Sequence, residues 1–232
     1  MSTPDFDGIS TSAVSDVLRE GGLAHRALNA RLATATPGLR LCGPAFCVRG
    51  ESALGAPVVD ATSSIRFEVY RRFLPGSILL IGSGGYDEAA IFGEIMAHSL
   101  AARGCGGAVV DGGIRNSACY AEMGFPIYAR FRTPVSAAGR WRLVEIDEPL
   151  YMPGQTTAQI VVNPGDWLIG DCDGIVVVPS EHVQDVGRDA RRLMATLQAH
   201  RQELADGDDP EKVVRGMNRF GHIRRYARGF FA

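Results

Sequence analysis

The stretch GEIMAHSLAARGCGGAVVDGGIRN, residues 93–116, decides both the fold and the site. It puts an acid, Glu94, at the head of a run of helical composition, breaks that run at a Gly-rich turn, and resumes as an apolar strand. The strand, GGAVVDGG, carries Asp111 and ends in two glycines, with Arg115 and Asn116 just beyond. Ligands of α/β proteins collect at the carboxyl ends of strands, and glycine lets backbone come close to them. Arg115 would offer such a ligand a planar fork matched to a carboxylate. The competing reading is a tight turn with a surface arginine paired to Asp111.

Upstream, Gly84–Gly85 and the small residues leading to Met96 place several first-turn amides where an anion could sit. Taken together, strand, glycine loop, helix, strand and arginine bring amides and a guanidinium to one sheet edge, a geometry that suits a small oxo-acid. Glu94 is a general acid or base if it projects into that cleft, and an ordinary helix-surface acid if it faces solvent.

The rest of the chain fits the same architecture. Residues 10–20 read as a capped helix closed by Gly21–Gly22, and LRLCGPAFCVRG as a strand interrupted at Gly43–Pro44. A polar helix is expected over 61–72, a buried strand at SILLIG, a helix over 87–102 with Gly93 as an alternative start, a short helix at NSACYAEMG and a strand at FPIYARF. Strands alternate with the turns NPGD and DCDG over 155–178, and a long helix starts at Ser180 and runs to 205. Alternating elements followed by clustered strands give a layered α/β or ββα sandwich. Residues 1–205 form a single domain, and 206–232 a basic, aromatic extension. In that extension Met217, Phe220, Ile223, Ala227 and Phe230 are spaced like one helix face, expected to dock on a subunit of its own oligomer.

Composition narrows the chemistry. The 232 residues are 46% hydrophobic and 22% charged, with a net charge of -2, so neither a membrane nor nucleic acid is the expected partner. No apolar run approaches the roughly 18 residues of a spanning helix, and the N-terminus lacks the pattern of a signal peptide, so a cytoplasmic protein is expected. The five cysteines are scattered and read mostly as small buried hydrophobes. Asp171 and Asp173 read as turn chemistry, and the five histidines show no ligand spacing; His98 reads as half-buried. Among 24 basic residues only Lys212 is lysine, in the polar segment DGDDPEK. Schiff-base and pyridoxal phosphate chemistry needs a buried lysine, so neither is expected, nor is a nucleotide cofactor.

STSAVSDVL, GPAFCVR, PGSILLIGSGG, the central block above, GFPIYAR and VVNPGDWLIGDCDGIVVVP together resemble the RraA-like family, over about residues 9–190. That family includes 4-hydroxy-4-methyl-2-oxoglutarate/4-carboxy-4-hydroxy-2-oxoadipate aldolases and the regulator of ribonuclease activity A. The resemblance implies a ββα sandwich of the swivelling-domain type, assembled as a homotrimer or hexamer with sites between subunits. It implies a lyase that releases pyruvate from a 4-hydroxy-2-oxo acid or decarboxylates oxaloacetate. Glu94 and Arg115 would be its catalytic residues. Gly93, Glu94, Ile95, Met96 and Arg115 would bind substrate. Magnesium or manganese is the implied cofactor, but the aspartate that would hold it is Asn116 here, a neutral donor that weakens the site. Near the place of a second glutamate, from a neighbour's helix, stand Arg191, Arg192 and Leu193, with Glu203 further on. The alternatives are a protein-binding regulator without catalysis, or a metal-independent hydrolase or isomerase using the same cleft.

Overall fold

The computed structural model describes residues 6–53 and 64–226. In chain order it contains α1 (Thr11–Glu20), β1 (Ala33–Thr34), β2 (Leu41–Ser52), α2 (Ser64–Arg72), β3 (Ile78–Gly82), β4 (Ala90–Phe92), α3 (Glu94–Ala101), β5 (Ala108–Ile114) and α4 (Ser117–Glu122). There follow β6 (Ile127–Arg132), β7 (Trp141–Ile146), β8 (Leu150–Pro153), β9 (Gln159–Val162), β10 (Trp167–Asp171), β11 (Gly174–Val178), α5 (Val183–Ala205) and α6 (Pro210–Gly216). The main sheet runs β1-β6-β5-β3-β2-β10-β11, with β4 beside β5 and β7 beside β2. Its centre, β6-β5-β3-β2, is parallel, and β10 and β11 are antiparallel. Just before β1, Ala27 bridges to Val176 of β11 and Leu28 to Gly154, so the sheet nearly closes on itself.

Side-chain alternation along the strands separates the layers. On β3, Leu79 and Ile81 join an outer cluster with Phe46, Val48 and Val110, while Ile78 and Leu80 join an inner one with Cys47, Val109 and Tyr128. Residues buried on both faces explain why this strand reads as a continuous apolar run. Helices α2, α3 and α4 cover the outer cluster through Val69, Met96, Leu100 and Tyr120. The inner cluster is closed by the β8–β9 hairpin through Leu150, Met152, Ile160 and Val162. On the far side Val176 and Val178 of β11 pack against Val14, Val17 and Leu18 of α1 and Val186, Ala190 and Leu193 of α5. The result is the expected α/β sandwich. Each fully buried Leu or Ile in it contributes about 2 kcal/mol.

Several elements depart from the sequence reading. Residues 90–92 are strand, not the first turn of a helix over 87–102. Ala90 pairs with Gly113 of β5, and all three residues of β4 are buried, so the backbone takes the ladder bonds β5 offers. Strand β5 contains both glycines, as the run GGAVVDGG reads, and goes one residue further, to Ile114. A Cβ on Gly113 would lie 2.5 Å from the Phe131 ring, and one on Gly112 2.7 Å from Ile91, so these glycines serve close packing and not a turn. Strand β2 is likewise unbroken at Gly43–Pro44. Pro44, with no N–H to donate, precedes the residues that pair with β3 and faces β10 only. A 3-10 turn, Ser180–His182, precedes α5. Residues 61–63 of the expected polar helix lie outside the described residues. Strands β7 and β8 had no counterpart in the sequence reading.

The extension also differs. Helix stops at Gly216, and Phe220, Ile223 and Tyr226 pack in irregular chain onto the α1–α5 cluster of their own subunit. Ala227 and Phe230 lie outside the described residues. Only Cys47 and Cys105 are buried, where loss of solvent pushes their thiols up to about 12 and about 11; Cys42 and Cys172 are exposed, and His98 is exposed too. Among the described residues no helix is long and apolar enough to cross a membrane.

The DCDG turn does structural work. Ser10 Oγ accepts from the Ala13 amide, while the Thr11 amide and hydroxyl donate to the two oxygens of Asp171 at 2.8 and 2.7 Å. Burial raises the Asp171 carboxyl, but the bonds from Thr11 and from the Asp173 amide outweigh it and hold the group below its ordinary value. Replacing Asp171 with Ala should cost about 1–2 kcal/mol at neutral pH, measured by urea unfolding. Because the folded pKa is depressed, this contribution is present above the ordinary value of 3.8 and lost as pH falls through the lower folded one. The gap between variant and native should therefore narrow in acid.

Candidate active site

Strand β4 and the end of β5 hold the chain together at one point. The Arg115 amide donates to the Phe92 carbonyl at 3.1 Å, which places Arg115 directly beside the Gly93 turn that opens α3. The Arg115 carbonyl in turn accepts from the Tyr120 hydroxyl at 2.7 Å, and Tyr120 is fully buried. The backbone of Arg115 is thus fixed on both sides. Its side chain crosses the face of Gly93, where an added Cβ would lie 3.3 Å from Nε.

The Gly93 carbonyl accepts from the Met96 and Ala97 amides, both at 3.1 Å. The amides of Glu94 and Ile95 therefore open the helix without an acceptor inside it. Arg115, Gly93, Glu94, Ile95 and Met96 line one hollow of about 310 Å³, so the five residues singled out from the sequence do come together. Met96 contributes wall, since its amide is already engaged within the first turn. Glu94 is half-buried and also borders an adjoining hollow of about 590 Å³, which shares Arg115 and Asn116.

Two expectations change. Asp111 does not pair with Arg115: its carboxylate lies 3.5 Å from Arg130 Nε, too long for a good hydrogen bond. Burial pushes its carboxyl up, with Arg130 opposing. Among the described residues Arg115 has no carboxylate at ion-pair distance, which leaves its fork open to a ligand. The Gly84–Gly85 loop does not line the hollow either. Both residues take positive φ, +68° and +85°, and Gly84 lies so close to the Gly50 carbonyl that a Cβ would sit 2.7 Å from it.

Among the wall residues that the sequence did not single out are Arg66 of α2, Arg142 of β7 and Ser136. Arg66 lay in a segment read only as a polar helix. Arg142 had a weak signal in the alternation of WRLVEI, whose Trp141 indole donates to the Ser83 carbonyl at 2.9 Å. Arg142 is balanced by Glu51 at 2.9 Å. Against Arg66 and Arg115 the hollow sets one carboxylate, Glu94, so its field favours an anion.

The description RraA-like: Aldolase/RraA matches residues 11–177. The chain belongs to this family. A putative 4-hydroxy-4-methyl-2-oxoglutarate aldolase of Halalkalibacterium halodurans is 27% identical over 201 residues, 87% of either chain. Among solved structures, an uncharacterized protein from Pseudomonas syringae pv. tomato superposes with a TM-score of 0.76 at 26% identity, covering 90% of this chain and 94% of that one. RraAS2 of Streptomyces coelicolor, described as an unusual member of the RNase ES inhibitor RraA protein family, gives 0.71 at 24% identity over 87% and 100% of the two chains, a likeness of fold.

The metal implied by the RraA-like aldolases can be tested on the donor set. Asn116 is the N-cap of α4 in the left-handed region, φ 58° and ψ 42°, a conformation asparagine tolerates well, and its side chain makes no cap bond. In this hollow it adds a neutral amide to the one carboxylate of Glu94, while Glu122 lines the adjoining hollow. Magnesium and manganese want hard anionic oxygens. Among the described residues the one triad of acidic or sulfur ligands lies elsewhere, at Asp171, Cys172 and Asp173, and Asp171 is already spent on α1. The residues this chain brings to the hollow do not match a hard-cation centre.

Gly93 has extended backbone, φ −150°, so an alanine there is not strained by its own conformation. Its Cβ would press on Arg115 Nε and shift the guanidinium. Gly93→Ala should leave the melting temperature near that of the native protein but weaken oxalate binding about tenfold by titration calorimetry.

Proposed function

We propose that this RraA-like protein is a carbon–carbon lyase acting on a small 4-hydroxy-2-oxo acid and releasing pyruvate, with guanidinium and amide groups taking the charge. The observation that carries this reading is the convergence of the unpaired Arg115 fork and the free amides of Glu94 and Ile95 on one hollow. The naming of a relative that aligns over most of both chains as a putative aldolase supports it.

The chemistry follows from those groups. The substrate carboxylate sits against the amides, and Arg115 spans the carboxylate and the 2-oxo oxygen. Glu94, directly or through a water, takes the proton from the 4-hydroxyl as that oxygen becomes a carbonyl. The C3–C4 bond breaks and its electron pair passes to C3 and on to the 2-oxo oxygen, giving the enolate of pyruvate. Arg115 stabilises that oxyanion, and return of the proton to C3 completes pyruvate. Decarboxylation of oxaloacetate passes through the same enolate, with carbon dioxide leaving in place of the carbonyl fragment. No lysine takes part; Lys212 lies exposed on α6.

A coupled pyruvate assay over a panel of oxo-acids tests this directly. Arg115→Ala should reduce release by roughly a hundredfold or more with the fold intact by circular dichroism. EDTA should leave native turnover unchanged, and Asn116→Asp should create a response to Mg²⁺ or Mn²⁺. Full activity in Arg115→Ala would reject the assignment.

A further inference from the structure

A second charged hollow, sharing no wall residue with the first, lies where the C-terminal segment returns along α1 and α5. Tyr226 makes the attachment. Its amide donates to the Gly21 carbonyl at 2.8 Å and its hydroxyl to Asp189 Oδ2 at 2.7 Å. Its ring covers Gly21, where a Cβ would be 2.2 Å away, and stacks on His182 with centroids 5.6 Å apart. His222 donates to the Asp189 carbonyl at 3.0 Å. The backbone at Arg224 and Arg225 is therefore held between two anchored residues, and their exposed side chains remain free to turn toward a ligand.

The hollow between this segment and α5 measures about 550 Å³. Its walls carry Arg188, Arg192, Arg224, Arg225, His182 and His222 against two acids, Asp185 and Asp189. Both acids are committed: Asp185 binds Arg188 at 2.6 Å, and Asp189 binds Arg188 at 3.1 Å as well as Tyr226. Arg192, Arg224 and Arg225 are left with no carboxylate at ion-pair distance among the described residues. An adjoining hollow extends the same surface past Arg192 and His222 to Thr196 and Asn218. Uncompensated like charge gathered round one cavity opposes folding, and an anion with several oxygens relieves it. Guanidinium forks match phosphate and carboxylate groups bidentately.

We propose that this hollow binds a small polyanion, a molecule carrying two or more phosphate or carboxylate groups, at a site separate from the β4–β5 edge and independent of the lyase reading. Calorimetry of the full chain in the Arg115→Ala background, which disables the other anion site, tests it with inorganic pyrophosphate and with citrate at fixed ionic strength. Saturable binding of one ion per chain is expected, at least tenfold weaker in R192Q/R224Q/R225Q, with trypsin cutting after Arg224 and Arg225 more slowly when the ligand is present. Binding of pyrophosphate alone or of citrate alone supports the site and assigns its preference. R224K/R225K, which keeps the charge but loses the forks, should also bind more weakly, and it preserves the test if the triple variant misfolds. No saturable binding of either ion, equal affinity in the folded variants, or binding of a single-stranded oligonucleotide in their place would overturn the proposal.

Discussion

The hydrogen bond from the Arg115 amide to the Phe92 carbonyl is the contact on which the site depends. It exists because β4 can lie against β5, and β4 can lie there because Gly112 and Gly113 present no side chain to Ile91, Ala89 and Phe131. That packing sets the turn at Gly93 beside Arg115, and the same turn opens α3. Guanidinium and helix amides are thus brought together by a sheet contact, while the buried Tyr120 fixes the arginine backbone from the other side. Two consecutive glycines in a buried strand ordinarily weaken it. Here the lost side-chain burial is offset by the third strand they admit.

The same arrangement gives the chemistry its character. On the proposed lyase reading, positive charge is needed where the oxyanion forms, and in a chain with one exposed lysine and an asparagine at position 116 it would come from guanidinium and backbone N–H. The guanidinium is permanently charged and the amide dipoles are held in place by the fold, so neither depends on a proton transfer. Arg66 extends the positive wall from α2, and Arg142, paired with Glu51, closes it from β7; both elements are distant in sequence from the central block.

Much of this was legible in the sequence because the central block is local: strand, turn, helix and strand follow one another, and glycines with Glu94, Arg115 and Asn116 mark the ends. The RraA-like resemblance carried the fold class. What was not legible depended on partners far along the chain. Residues 90–92 read as helix because nothing local announces that β5 offers ladder bonds. The double glycine read as a strand end open to a ligand, or in the competing reading as a tight turn, because its packing role belongs to Phe131 and Ile91. Asp111 appeared to belong with Arg115 by proximity in sequence, but its partner is Arg130 on the neighbouring strand β6. Arg66 and Arg142 carry no local signal of a shared hollow, and the attachment of Tyr226 over Gly21 joins opposite ends of the chain.

A crystal structure with oxalate, which has the shape and charge of the pyruvate enolate, is the most direct test. The account predicts density with one end against the amides of Glu94 and Ile95 and with oxygens within hydrogen-bond distance of the Arg115 guanidinium. Oxalate bound elsewhere with this hollow holding only water, or an Arg115 side chain turned away from the Gly93 face, would contradict it.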